Sequence, residues 1–332
     1  MGKTLKPVNQ NNKIKSENDL IKKIAKRVKM PSNLPDEFVG IGDDCSVFKI
    51  SKGRYALFTT DISIENRHFI IDKSSPIEIG YKAMVSNISD ISAMGGYPIC
   101  AFVSLGITAD TNENFILKLY DGMNKALKST NCVISGGDTS KSNELIISIA
   151  IYGESHKKPI MRQGASVGDN IYVTGSLGGS KAGLDFVLGK NKYSSKFSEL
   201  LERHNYPPNR NNMVDILSKN YDVTSMIDIS DGLLLDLSRI TEKSKCGFIL
   251  YPNEIKPHKK LKEYCKKFKY DINEYTLYSG EEYELLFTGK EKNEKIKHPN
   301  INKIGTIIED GFFLYVNDTI IPTNALGFDH FL

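Results

Sequence analysis

Aspartates recur in this chain at the ends of apolar, β-like segments or inside turns of small residues. Asp43 and Asp44 follow Val39-Gly40-Ile41-Gly42, and Thr59-Thr60-Asp61 closes the segment Tyr55 to Phe58. Asp138 sits in Ser135-Gly136-Gly137-Asp138-Thr139, and Asp228 and Asp231 sit in Ile227-Asp228-Ile229-Ser230-Asp231-Gly232. Carboxylates at strand ends, beside glycines that let the backbone come close, suit a polyphosphate–Mg²⁺ site. Magnesium takes a few carboxylates and completes its octahedron with waters and phosphate oxygens. Each motif alone reads first as a turn or helix cap, and Asp231 before Gly232-Leu233-Leu234 is placed to cap a helix. Four occurrences in one chain favour the metal site.

Asp90 adds a carboxylate of different geometry. Asn87 and Asp90 are three apart on an expected helix and share a face, which reads either as solvent-facing surface or as part of the same site. The glycine-rich turn Gly175-Ser176-Leu177-Gly178-Gly179-Ser180-Lys181-Ala182 fails as a P-loop. Ser180 stands where the second glycine belongs, and Ala182 where the Mg²⁺-binding hydroxyl belongs. Tight strand-to-helix packing explains these glycines better than anion binding does. His68, seven residues after Asp61, faces either the same cleft or a structural role. No elbow motif and no base paired with Cys45 support nucleophilic catalysis.

The elements that must position these residues follow from periodicity and punctuation. An amphipathic helix is expected from Asp19 to Met30, with Leu20, Ile21, Ile24 and Val28 on one face. Ser75 and Glu78 have capping-box spacing with Pro76 at the first helical position, predicting a helix to about Met94. Ile99 to Ile107 and Leu145 to Tyr152 read as buried strands with a helix near Asn114 to Lys128 between them. A second set follows: a strand at Ile171 to Thr174, a helix through Leu184, a polar loop over Lys190 to Lys196 and a helix from near Asp231. Late strands are expected at Leu285 to Thr288 and Phe312 to Val316. The pattern is α/β (α+β) in two domains, with a basic leader at 1–15, an N-terminal domain at 16–154 and a C-terminal domain at 155–332.

Composition bounds the rest. With 332 residues, 40% hydrophobic and 25% charged, the chain can bury a sizeable core and is not a disordered polymer. The net charge of +4 is concentrated in the first 30 residues, which carry +7 and leave −3 for the remainder. A basic leader on a slightly acidic body argues against a nucleic-acid binder. The longest apolar run, Leu145 to Tyr152, is far too short for a bilayer, so no membrane association is expected. The leader lacks the apolar core of a secretory signal. Cys45, Cys100, Cys132, Cys246 and Cys265 are odd in number and scattered, which fits free thiols in the cytoplasm.

Taken together, the stretches IGDDCSVF (41–48), TTDISIENRHF (59–69), GYKAMVSNISDISAMGGYP (80–98), SGGDTSKS (135–142), RQGASVGDNIYVTGSLGGSKAGL (162–184), IDISDGLLLDL (227–237), SGEEYELLFT (279–288) and FDHF (328–331) resemble thiamine-monophosphate kinase. That family shares a superfamily with aminoimidazole ribonucleotide synthetase and selenophosphate synthetase. The motifs occur in family order over nearly the whole chain. The Cys/Sec–Lys segment of selenophosphate synthetase is missing. The sequence departs from the family pattern where Ser279-Gly280-Glu281-Glu282-Tyr283 replaces Gly-Gly-Glu-Asp-Tyr.

The resemblance implies ATP- and Mg²⁺-dependent phosphorylation of thiamine monophosphate to thiamine diphosphate by direct in-line transfer. It implies a homodimer in which the N-terminal mixed sheets of two subunits pair into a barrel beside C-terminal α/β domains. By motif matching, Asp44, Thr59, Thr60, Asp61, Asp90, Asp138, Asp228 and Asp231 would surround several Mg²⁺ ions, with Asp90, Asp61 and Asp231 nearest the chemistry. Tyr120, Gly137, Asp138, Arg162 and Ser230 would contact ATP, and His68, Glu281 and Phe328 the thiamine phosphate. The competing readings are another ATP-using member of the superfamily with a different acceptor, and a non-catalytic nucleotide-binding scaffold.

Overall fold

A computed structural model of the chain describes residues 14, 16–29, 31, 33–35, 37–293, 298–324 and 327–328. The leader at 1–15, except Ile14, and residues 329–331 of FDHF lie outside the described residues. The N-terminal half runs α1 (Glu17–Arg27), β1 (Ser46–Ser51), β2 (Arg54–Ile64), α2 (Pro76–Ala93), β3 (Tyr97–Ile107), α3 (Glu113–Leu127), β4 (Val133–Lys141) and β5 (Ile146–Ser155). Its strands order as β1-β2-β5-β3-β4, antiparallel except for the parallel pair β3–β4.

Strand β5 shows why this sheet has one buried face. Ile147, Ile149 and Ile151 point inward and are fully buried, while Ile146, Ser148, Ala150 and Tyr152 alternate to the other side and stay partly exposed. The helices α2 and α3 cover the inward face. Ser75 and Glu78 form the reciprocal capping box, with Pro76 in the first turn. A Cβ on Gly80 would lie 2.0 Å from the Leu119 carbonyl oxygen, and one on Gly122 would lie 2.0 Å from that of Ile77. Glycine at these two positions lets the helix backbones touch.

The C-terminal half runs β6 (Asn170–Thr174), α4 (Gly179–Val187), α5 (Ser198–Asn205), α6 (Met213–Asn220), β7 (Tyr221–Asp228), α7 (Leu233–Ser244) and β8 (Gly247–Leu250). It continues with α8 (Leu261–Phe268), α9 (Ile272–Tyr278), β9 (Leu285–Glu291), β10 (Ile301–Ile308), β11 (Phe312–Val316) and β12 (Thr319–Pro322). The order β12-β11-β8-β10-β6-β9-β7 is again mixed, with β8 and β11 parallel. Among the described residues neither sheet closes into a barrel.

Helix α2 joins the halves, touching β2, β3 and β5 on one side and β7, β9 and α5 on the other. It is therefore buried nearly all round, and Ser86, Asn87 and Ser89 lie inside the protein and not on its surface. Helix α1 differs from its expectation in a different way. It starts at a Ser16 cap and ends at Arg27, and none of its residues is buried. Ile21, Ile24 and Val28 lie on an exposed apolar stripe.

Candidate active site

Three segments far apart in sequence converge where α2 passes between the sheets. Asp44 precedes β1, Asp90 lies on α2 and Asp228 ends β7, and one carboxylate oxygen from each falls within 4.8 Å of the other two. Polar side chains hold them there. The Thr59 hydroxyl donates to Asp90 Oδ2 at 2.5 Å, and the Ser89 hydroxyl to Asp228 Oδ2 at 2.6 Å. The Asp61 amide donates to Asn87 Oδ1 at 3.1 Å, which fixes the end of β2 against α2.

The cluster is short of positive charge. Arg162, in the chain leading to β6, places Nη2 2.5 Å from Asp44 Oδ1, and its amide donates to Asp43. Asp44 Oδ2 is buried with no hydrogen-bond partner. Burial, then the charges of Asp61, Asp228 and Asp44, push the Asp90 carboxyl well above its usual range. Burial and Asp44 do the same to Asp228, and Asp43 is pushed up to about 6 by burial and Asp44. Crowded hard oxygens, one of them without a partner, are the donor set a Mg²⁺ ion requires. The residues fit the ion.

The loop after β7 is built by a residue that motif reading passes over. Asp236 Oδ2 accepts the backbone N–H groups of Ser230, Asp231 and Gly232, each at 3.1 Å. Arg239 bridges Asp236 Oδ1 and Asp231 Oδ2, both at 2.5 Å. The capping reading of Asp231 is thereby corrected. Helix α7 starts at Leu233, the Asp231 carboxylate makes no cap, and Asp236 satisfies the preceding N–H groups from inside the helix. Only the spacing of Asp236 from Asp231 signals this in the sequence, and five residues match no helix-capping pattern.

His68, Glu281 and Phe328 come to the same side. His68 Nδ1 accepts the Ile64 amide at 3.0 Å, so the neutral ring carries its proton on Nε2. With Arg67, Lys82 and His204 it lines a cleft between the halves. Glu281 and Tyr283 both adopt left-handed backbone, φ +53° and +49°. Ladder-like bonds to the metal-side loop hold them there, Glu281 N–H to the Ser230 carbonyl at 2.7 Å and Tyr283 N–H to that of Ile229 at 2.9 Å. The Phe328 amide donates to the Asp231 carbonyl. Glu281 and Phe328 are thus tied through backbone to Ser230 and Asp231, and Tyr283 to Ile229.

The departures from the family pattern form a unit. Glu282 Oε1 accepts the Ser279 hydroxyl at 2.6 Å and the amides of Gly178 at 2.7 Å and Ser180 at 3.1 Å, and Glu282 Oε2 pairs with Arg203. The N-terminus of α4 therefore already holds a protein carboxylate, which completes the case against a P-loop there. Glu284, alongside, is held below its ordinary range because Arg203 and Arg210 outweigh burial.

Other expected residues lie apart. Thr60 alternates to the exposed face of the sheet, opposite Thr59. Gly137 and Asp138 sit on the exposed strand β4. The registers Asp61–Ile149, Ile149–Val103 and Val103–Gly137 put three strand spacings, ~14 Å, between that strand and Asp61. A Cβ at Gly137 would strike the Val103 carbonyl oxygen at 1.7 Å, so glycine is required for the sheet itself. Tyr120 lies on α3, partly buried against the N-terminal core.

Comparison with known proteins agrees with this architecture. Residues 42–155 match the family described as AIR synthase related protein, N-terminal domain, and residues 166–316 its C-terminal domain. Thiamine-monophosphate kinase of Aquifex aeolicus is 33% identical over 292 residues, covering 88% of this chain and 92% of that relative. The enzyme of the same name from Buchnera aphidicola subsp. Acyrthosiphon pisum is 37% identical over 310 residues, covering 89% and 93%. The solved structure of AaThiL complexed with AMPPCP and TMP is similar with a TM-score of 0.83 at 30% identity, covering 95% of this chain and 97% of that one. With both AIR synthase related domains in order and a third of its residues shared with such enzymes over most of their length, the chain belongs to the thiamine-monophosphate kinase family.

Proposed function

We propose that this kinase transfers the γ-phosphoryl group of ATP to the phosphate of thiamine monophosphate, giving thiamine diphosphate and ADP. The observation that carries the reading is the convergence of Asp44, Asp90 and Asp228 around an unpartnered buried carboxylate oxygen. The test is phosphoryl transfer from ATP in the presence of Mg²⁺, comparing thiamine monophosphate with thiamine, the product followed by phosphorus NMR. Transfer to the monophosphate alone is expected. Faster transfer to thiamine would overturn the acceptor and the mechanism together.

An acceptor phosphate oxygen attacks the γ-phosphorus in line, a new P–O bond forms, and the bond to the β-phosphate oxygen breaks. The attacking oxygen is already anionic, so no side chain needs to take a proton from it. The obstacle is charge. Two unit charges ~4 Å apart repel by about 4 kcal/mol at an effective dielectric of 20. When bound, Mg²⁺ ions offset this repulsion and the charge developing on the leaving oxygen. Asp44, Asp61, Asp90, Asp228 and Asp231, with Thr59, are the residues that would hold them. Arg162 and Ser230 would position ATP, and His68, Glu281 and Phe328 the acceptor.

A homodimer completes the reading. Phe58, Ile62, Ile99 and Phe102 form an exposed apolar patch on the sheet face opposite α2 and α3. A sheet face this apolar calls for a second layer, and a second copy of the same sheet would supply it. No described helix is long and apolar enough to cross a membrane, and all five cysteines are free, which supports a cytoplasmic enzyme.

A further inference from the structure

The motifs assign Lys82 no role, yet it is a largely buried cation inside the acceptor cleft. It lies on α2 at i−8 from Asp90 with Ser86 between, so the three share one face of the helix. Its Nζ is 2.6 Å from Glu281 Oε2, with side-chain exposures of 13% and 29%. On its other side Nζ meets His204 Nε2 at 3.3 Å. Burial and the nearby Lys82 charge lower the His204 pKa to about 3, so the ring stays neutral. A neutral ring accepting from an ammonium at Nε2 must carry its proton on Nδ1, where Ser180 Oγ lies at 3.3 Å and Glu281 Oε2 at 3.7 Å. Lys82, on a helix of the N-terminal half, is therefore held by two acceptors of the C-terminal half. Glu281, which a cationic ring would need, already has its counter-ion.

We propose that the Lys82–Glu281 pair is the acceptor's charge filter and opens by partner exchange. It rests on the functional reading above. An acceptor carrying both a fixed cation and a phosphate replaces one internal ion pair by two external ones: ring cation to Glu281, phosphate to Lys82. Each of the two protein charges has a partner before and after. A ligand with only the cation must compete with Lys82, and one with only the phosphate must compete with Glu281. Either leaves a partly buried charge without a partner, which is unfavourable. Selectivity for a zwitterionic acceptor then comes from the pair and not from the metal ligands.

The test uses the full-length protein and two variants, Lys82→Met and Glu281→Gln. Steady-state transfer gives KM for thiamine monophosphate and for ATP. Inhibition constants against thiamine monophosphate are measured for thiamine, the cation alone, and for inorganic phosphate, the anion alone. In Lys82→Met the KM for thiamine monophosphate should rise about 30-fold, as expected for truncating one partner of a buried charge contact. The KM for ATP should stay within about 3-fold, because no nucleotide contact is removed. Thiamine should inhibit that variant several-fold more tightly than wild type, since Glu281 has lost its competitor. In Glu281→Gln, inorganic phosphate should inhibit more tightly and thiamine more weakly. A merely structural Lys82 would weaken all ligands together. Should Lys82→Met fail to fold, the Glu281→Gln inhibition pair decides the matter alone. Active wild-type enzyme with thiamine and thiamine monophosphate weakened alike in Lys82→Met, or phosphate and thiamine weakened alike in Glu281→Gln, would overturn the inference. Wild-type protein that transfers nothing to thiamine monophosphate would instead sink the functional reading, and the inference with it.

Discussion

Arg162 and Asp44 meet at 2.5 Å through Nη2 and Oδ1, while the second oxygen of the same carboxylate is buried without a hydrogen bond. One cation thus serves one side of the aspartate cluster, and the other side is left for a cation from solution. Asp90 and Asp228 each receive a hydroxyl, from Thr59 on β2 and from Ser89 on α2.

Asp90→Asn should abolish transfer without unfolding the protein. Asparagine keeps the shape and can still receive the Thr59 hydroxyl, but it removes charge from a crowded cluster. A fall in kcat of at least about 10²-fold is expected, from lost metal binding, with urea unfolding of the metal-free variant no easier than that of wild type. Near-normal turnover at saturating Mg²⁺ would show that Asp90 holds no metal.

Metal-free protein should lose stability between pH 6 and pH 8. Asp236, raised to about 7 chiefly by burial, and Asp90 and Asp228, which burial also pushes well above the usual carboxylate range, bind protons in the native state that the unfolded chain has already released. Native protein then binds more protons, so stability falls as pH rises. The buried His204 and the partly buried His258, lowered to about 3 and 4, act oppositely but only below the usual histidine range near 6.5. Urea titrations with chelator should show a loss of about 1–3 kcal/mol over this window, each unit of proton difference being worth ~1.4 kcal/mol per pH unit. Millimolar Mg²⁺ should flatten the slope. A metal-free profile that rises through the window would contradict the carboxylate account.

Asp236→Ala should damage stability and turnover together. It strands three backbone N–H groups and removes one of the two anions paired with Arg239. A loss of about 3 kcal/mol or more follows from the usual cost of unsatisfied buried donors. Displacement of Ser230 and Asp231 by ~1 Å should lower kcat about 10²-fold. Asp236→Asn, which keeps an acceptor oxygen, should recover part of both. An Ala variant as stable as wild type in urea would show that the loop holds its shape without Asp236.

Phe102→Glu should yield a monomer. Phe102 is 46% exposed at the centre of the apolar patch, and a carboxylate there is tolerated in water but not between two sheets. Light scattering behind gel filtration reads the mass directly, and circular dichroism checks the fold. A variant that keeps twice the chain mass would move the interface elsewhere.

Local chemistry made much of the fold readable from sequence. The capping box at Ser75 and the glycine stop after Met94 act within a few residues, and the structure shows the helix where those signals put it. The aspartates could be recognised as a set because strand ends and small-residue turns are local patterns. Their partition was not local. Asp44, Asp90 and Asp228 meet because α2 is buried between two sheets, while Thr60 and Asp138 are turned or carried away by strand alternation and strand order. Lys82 and Asp236 lie inside the family stretches, but nothing in their spacing gave either a role. Their roles arise from partners in other elements, His204 and Glu281 for one and the backbone of the preceding turn for the other. Residue types and short-range spacing are written in the sequence. Which charges share a desolvated space, and so which protons and ions they hold, depends on distances set only when the two halves close around one helix.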